Sequence, residues 1–577
     1  MSKSQQLTAG LTTVLAGVAA YLFFAFKYPY HLHFQEQYQL FEFTWAYFAR
    51  VAWLPGGLAD WLGRFLTQFF YYAPLGALLT SLLLCSVQLL TFAASREKTL
   101  FTYALSFLPA FLLTAFFCDE NALAGGMVAL ALALGAAALC QLPGKDRLRH
   151  LLEVLLVPLL YLACGSLAVV FVLVTALREG ARCGWRSSPV TAGMLVLGAL
   201  CPIVATRLFP YPLDRLTLGV HYFRYHNMVP GLLWLSALSA VAVVLVSCFK
   251  PFGRQWLPGA VATLLVAGCG TAVVVHYADP SKEEWMRYDF MVRMQMWNRI
   301  MLTADKKNPG NPKTVSCLNL ALAMTGRMPD SQFSYYQNGP EGLLPSFVGD
   351  YTNPVSTGEI FWHLGMVNTA QRYAFEAQEA IPDFQKSARL YQRLAQTNIV
   401  NGDIPIARKY LKALQHTLFY KAWADETLAL LDAGDIFAHR PDLEKARETR
   451  LREHDFLFSE TEMDSMLGLL HVEHPGNAMA LDYLMAWCLL RKDLDRFVEC
   501  ISMVTAPTMP KAYQEALLLR WVLTHSDFGG LPPYLSPVHA QRISRFIADY
   551  QARRPEAEMR REYGDTYWFY YYYRYRS

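Results

Sequence analysis

"VATLLVAGCGTAVVVHYADPSKEEWMRYDF", residues 261–290, contains the change of solvent that decides the fold. Up to Ala278 the stretch carries no acidic or basic side chain except His276; from Asp279 onward Lys282, Glu283, Glu284, Arg287 and Asp289 follow in quick succession. An uncharged apolar run of this length reads as a helix crossing a bilayer, where the chain must satisfy its own backbone hydrogen bonds. The return of charge reads as an exit into water.

Toward the N-terminus similar runs recur, at about 8–27, 67–92, 99–117, 122–141, 151–177, 190–207, 230–249 and 257–276. They raise the hydrophobic share of the 577 residues to 54%. The sequence therefore predicts a transmembrane part, 1–278, with seven clear spans and one re-entrant or broken segment at 151–177, which is too short for two full crossings of ~30 Å. The first run lacks a small-residue cleavage site, since Phe23, Phe24 and Phe26 lead straight into YPYHL, so it reads as a retained anchor. Beyond Asp279 no run reaches spanning length, and 279–562 reads as a soluble domain.

Net charge of +4 is small for this length, and no block of Lys and Arg appears, which excludes nucleic acid as the expected partner. The cysteines lie mainly inside apolar runs without CxxC spacing, so they read as small core side chains, and neither a metal nor a cofactor is expected. Basic residues Arg96, Lys98, Lys145, Arg147, Arg149, Arg178, Arg182, Arg186, Lys250 and Arg254 occupy short loops. All fall on the cytoplasmic side if 151–177 turns back near Cys164-Gly165-Ser166, which places the soluble domain outside.

The soluble part reads all-α. Leu364-Gly365 is followed by Ala377, and Leu394-Ala395 by Ala407 across an Asn-Gly-Asp turn. Small residues at that spacing resemble tetratricopeptide-type helical hairpins, whose stacked surfaces bind proteins. His471 and His474 in HVEH read as an ordinary helix face. The tail 563–577, YGDTYWFYYYYRYRS, is rich in Tyr and Trp, and is expected either to dock on the membrane surface or the transmembrane part, with Arg574 and Arg576 toward lipid phosphates, or to pack as a terminal strand or helix on the helical repeats.

The stretch HFQEQYQLFEF, residues 33–43, follows the first span and is followed by two amphipathic segments that read as interfacial helices. One helix, a long outer loop with an acidic residue, a helix bundle and an outer domain resemble the layout of GT-C membrane glycosyltransferases. That resemblance implies a loop carboxylate acting as base while a sugar leaves a polyprenyl phosphate. Glu36 would be the base and Glu42 the alternative, with Asp60 and Asp119 as further acids. Arg215, His221, Arg224 and His226, in LFPYPLDRLTLGVHYFRYHNMV, would bind the phosphate.

HFQEQYQLFEF, PGGLADWLGRFLTQFFYYAP, NLALAMTGRMPD and ARKYLKALQHTLFY also resemble an uncharacterised inner-membrane family of Bacteroidota, known only as a domain of unknown function. That resemblance implies a bacterial inner-membrane location and transfers no activity. Three functions stay open: a GT-C-like transferase in envelope glycan assembly, a non-enzymatic membrane-anchored scaffold binding envelope proteins, and a transporter. The transporter comes third because ionisable residues within spans are sparse, with Glu153 and Arg207 near helix ends.

Overall fold

The helix Ala124–Leu139 is apolar on every side, which suits a strand of chain surrounded by other helices. Met127, Ala129, Leu130, Ala133, Leu134 and Ala137 are fully buried. Against it lie the helices Gly57–Thr67, Ala73–Ala94 and Ala168–Cys183. The first of these contacts is the closest: a Cβ on Gly63 would stand 2.4 Å from the backbone nitrogen of Gly125. Two backbones meet there with no side chain between them, as small residues permit in membrane helices.

The computed structural model describes residues 3–574 apart from 143–144, 185–187, 226–227, 250–255, 383–384, 452–460, 506–507 and 526–529. Arg186, His226, Lys250, Arg254 and Arg576 lie outside the described residues. The chain is all-α, 77% helical, with no strand among the described residues. It divides into two units, one formed by Met1–Glu283 with Ile381–Ala388 and Lys412–Ala424, the other by Glu284–Ala380, Arg389–Leu411 and Asp425–Ser577.

Among the described residues of the first unit six helices are long and apolar enough to cross a membrane: Lys3–Lys27, Ala73–Ala94, Asp146–Arg182, Pro189–Leu208, Gly231–Cys248 and Trp256–Tyr277. Leu100–Phe116 and Ala124–Leu139 are shorter. Leu100–Phe116 is interrupted after Leu105 and resumes at Leu108 with Pro109 in its first turn, where a missing N–H costs nothing. Asp146–Cys164 and Ala168–Cys183 are two arms joined by the turn Gly165–Leu167. Their far ends meet again, Arg149 Nε standing 2.8 Å from Glu179 Oε1 and Arg182 Nη2 3.4 Å from Asp146 Oδ1, so the chain folds back on itself. Arg149, expected in a loop, is instead a fully buried helix residue, because Glu179 on the other arm compensates its charge.

The second unit has its own core around the helix Ala478–Leu490, with Tyr483, Leu484, Met485 and Leu490 fully buried. The helices Thr352–Leu364 and Val367–Glu379 pack along each other, and Gly358 lies under Tyr373. Gly365 is not at that helix contact. It stands in the turn between the two helices with φ +90°, a left-handed cap that glycine adopts without steric cost, so the tetratricopeptide spacing read from Gly365 and Ala377 does not describe this pair. Ala395 and Ala407 are both fully buried on successive helices.

Of the two places expected for the aromatic tail, the structure shows the packed terminal helix. Tyr567–Tyr573 is a helix capped by Thr566, with Tyr567, Trp568, Phe569 and Tyr570 buried in the second unit's core. Trp568 Nε1 donates to the Glu515 carbonyl at 2.7 Å and the Tyr570 hydroxyl to the Leu490 carbonyl at 2.6 Å. Their polar tips find protein acceptors, which removes the reason to seek a membrane interface.

Candidate functional site

The stretch 33–43 lies partly on the helix Pro29–Gln37, opened by Pro29 in its first turn. Its N-terminal N–H groups are met by Glu283, whose carboxylate accepts from Tyr30 N at 2.8 Å and His31 N at 3.1 Å. A carboxylate there also complements the helix dipole. The helix is short and six of its nine residues are buried: His31, Leu32, Phe34, Gln35, Glu36 and Gln37. Burial outweighs the nearby carboxylates of Glu120 and Glu283, the latter 3.9 Å from Nδ1, and pushes the His31 imidazole down to about 4, so it is neutral near pH 7.

Glu36 is 4% exposed, and its Oε1 accepts a 2.7 Å hydrogen bond from the hydroxyl of Tyr420, itself buried. Glu42 accepts from Lys386 Nζ at 2.7 Å. Backbone bonds run beside these two: Leu40 N to the Lys386 carbonyl at 2.9 Å and Phe43 N to the His416 carbonyl at 2.7 Å. Phe419 stacks on Tyr71 with ring centroids 5.0 Å apart. Glu36 and Glu42 thus bind the segments Ile381–Ala388 and Lys412–Ala424, which belong to the same unit.

The expected phosphate-binding residues separate into different surroundings. Arg224 is buried, its guanidinium 5.0 Å from the Tyr38 ring centroid, while its backbone N–H donates to the Asn121 carbonyl at 2.8 Å. His221 is buried with Nδ1 3.8 Å from Asp60 Oδ2. Asp60 is in turn held by Arg64 through two hydrogen bonds of 2.9 and 2.6 Å, a paired buried charge. Arg215 is half-buried on the helix Leu213–Leu218, whose neighbours are Ser188–Leu208 and the turn Gly165–Leu167. His226 lies outside the described residues. Asp119 accepts from Asn121 N and Nδ2 in its own loop, and burial pushes its carboxyl up.

A groove of about 740 Å³ lies elsewhere, between the helices Lys3–Leu22 and Ala73–Ala94, with Val14, Val18, Leu78, Leu82 and Cys85 among its lining residues; none of the expected site residues lines it. In HVEH, the His474 ring instead contacts the Arg450 carbonyl at 2.9 Å. Sequence reading missed a second buried polar group. Arg149, Glu153 and Glu179 are fully buried between the arms of the fold-back, beside His150. The His-x-x-Glu spacing was visible, but Glu179 comes from the other arm.

Fold and site define an all-α, multi-pass membrane protein in which the carboxylates that follow the first apolar helix are bound by later parts of the same chain. The chain belongs to a family of unknown function, DUF6057, whose model matches residues 3–574. No curated protein and no solved structure matches it.

Proposed function

We propose that this protein is a non-enzymatic scaffold of the bacterial inner membrane, anchored by its apolar helices and offering its helical-hairpin region to envelope proteins in the periplasm. The observation that carries this reading is the engagement of Glu36 by Tyr420 and of Glu42 by Lys386. A general base must reach its substrate's proton in the working geometry. These carboxylates instead fasten two later segments onto the outer loop, which is a structural use of charge. The successive helices Ala388–Asn401 and Ile404–Gln415, with Ala395 and Ala407 buried at hairpin spacing, are the kind of pair that stacks into surfaces binding other chains.

A second reading, the GT-C-like transfer of a sugar from a polyprenyl phosphate, rests on Arg224, a buried cation against Tyr38, two residues beyond Glu36. One comparison separates them: envelope glycan profiles and thermal stability of Glu36→Gln and Tyr420→Phe strains and proteins. A scaffold gives unchanged glycans and a similar loss of stability in both variants. A glycan change in Glu36→Gln with none in Tyr420→Phe would replace the scaffold by the transferase.

A further inference from the structure

We infer that the fold-back Asp146–Cys183 carries a binding site for a first-row divalent cation, with His150, Glu153 and Glu179 as ligands. His150 and Glu153 lie three apart on one helix and so share a face, and Glu179 faces them from the antiparallel arm. One ligand atom from each can be chosen so that all lie within 4.8 Å of one another. The His150 Nε2 already stands 2.9 Å from Glu179 Oε2. Ligands bound at ~2.1 Å in a tetrahedral shell stand roughly 3.4 Å apart, so the side chains need to close by up to about 1.4 Å.

Two observations point to a ligand rather than to a closed ion-pair network. Glu153 is fully buried, and neither of its carboxylate oxygens accepts a hydrogen bond; Arg149 Nε stands 3.9 Å from Oε1. Arg149 is committed elsewhere, bonding both oxygens of Glu179 at 2.8 and 3.1 Å and Asp146 at 2.8 Å. Of the other cations near the site, Arg182 pairs with Asp146 and Arg178 donates to the Ala94 carbonyl, so no cation is hydrogen-bonded to Glu153 within these apolar helices. A carboxylate so placed needs a counter-ion, since an uncompensated buried charge is expensive. A divalent cation supplies it, and Arg149 then orients Glu179 from behind, as partners of metal-binding carboxylates do. One imidazole and two carboxylates suit Zn²⁺, Co²⁺ or Mn²⁺. The His150 side chain is 24% exposed, which leaves an entry path and an open coordination position.

The test uses the full chain in detergent micelles, stripped with EDTA, reloaded with ZnCl₂ and desalted. The expected result is one zinc per chain by elemental analysis, with Co²⁺ substitution giving visible d–d absorption. Glu153→Gln and His150→Ala should each weaken Zn²⁺ binding at least tenfold and abolish the zinc-dependent rise in thermal stability. His150 lies at the edge of the group, so its variant remains informative if Glu153→Gln does not fold. Wild-type protein that retains no zinc, which would leave Glu153 compensated by a proton, overturns the inference. So does retention that is the same in wild type and in every folded variant.

Discussion

The hydroxyl of Tyr420 donates a 2.7 Å hydrogen bond to the buried carboxylate of Glu36, across 384 positions of sequence. Removing that donor leaves one carboxylate oxygen without it in a site closed to water, at a cost of about 1–3 kcal/mol. Tyr420→Phe is therefore expected to lower the thermal midpoint of the purified protein, and Glu36→Gln to do so by a similar amount. The double variant should lose less than the sum of the two. Additive losses would mean that the two side chains do not act on each other.

Sequence alone could not supply this bond, because nothing in the local pattern around Glu36 names a partner so far along the chain. The helical class was legible, since apolar runs of spanning length and helical spacing are local properties. Gly365 was misread because a glycine after an apolar helix fits two roles, a close helix contact and a left-handed cap, and only the position of the helix end separates them. The aromatic tail was ambiguous for a related reason. Tyr and Trp serve a membrane interface and a polar-tipped core equally well, and the acceptors that decide, the carbonyls of Glu515 and Leu490, lie on distant helices.

That tail yields a direct measurement. Trp568 is fully buried and its indole N–H is hydrogen-bonded, so Trp568→Ala removes a large ring and leaves a cavity beside the Glu515 carbonyl. Losses of about 3–5 kcal/mol are typical of such truncations. Trp568→Phe, which keeps most of the ring, should cost less than half as much. Binding of the folded protein to lipid vesicles should not change in Trp568→Phe, whereas an interfacial anchor would lose affinity.

Acid should weaken the second unit through two neighbouring groups. Burial would push the Glu359 carboxyl up, but the guanidiniums of Arg393 and Arg389 outweigh it and hold the group at about 2, below its ordinary 4.5. Burial pushes the His363 imidazole down to about 4 from 6.5. Both groups bind protons less readily when folded, so each contributes stability that is complete above its unfolded value. The His363 contribution is lost as pH falls from about 6.5 to 4, and that of Glu359 as pH falls from about 4.5 to 2. Each is worth at most about 3 kcal/mol. Thermal midpoints measured down this range should fall in wild type, and Glu359→Gln should flatten the part below pH 4.5. An unchanged slope in that variant would show that other carboxylates set the acid limit.

Within the membrane helices, Arg149 and Glu179 provide a case where breaking a pair costs more than the pair supplies. Both are fully buried, and removing one leaves the other's charge without its closest partner, a loss of about 3–5 kcal/mol. Arg149→Met should be destabilised by that order in a detergent unfolding assay. Arg149→Met combined with Glu179→Met, which removes both charges, should recover much of the loss. Failure of the second change to rescue would show that Glu179 has adequate compensation from His150 alone.

The meeting of Gly63 with Gly125 makes the sharpest test of the helix arrangement. A Cβ at Gly63 would stand 2.4 Å from the Gly125 nitrogen and 2.6 Å from its Cα, closer than atoms of two backbones can approach, so the helices Gly57–Thr67 and Ala124–Leu139 must move apart. The shift would pull on the buried group at the end of that contact, because Asp60 lies one turn before Gly63 and its Cα is 3.1 Å from where a Gly125 Cβ would sit. Gly63→Ala is therefore expected to lower the yield of folded protein and its thermal midpoint by an amount typical of overpacking, about 1–3 kcal/mol or more. Gly180 gives the control. It is also helical, but nothing lies within 4 Å of its added Cβ, so Gly180→Ala should stay within about 1 kcal/mol of wild type. Equal behaviour of the two variants would mean that the two helices do not cross at Gly63.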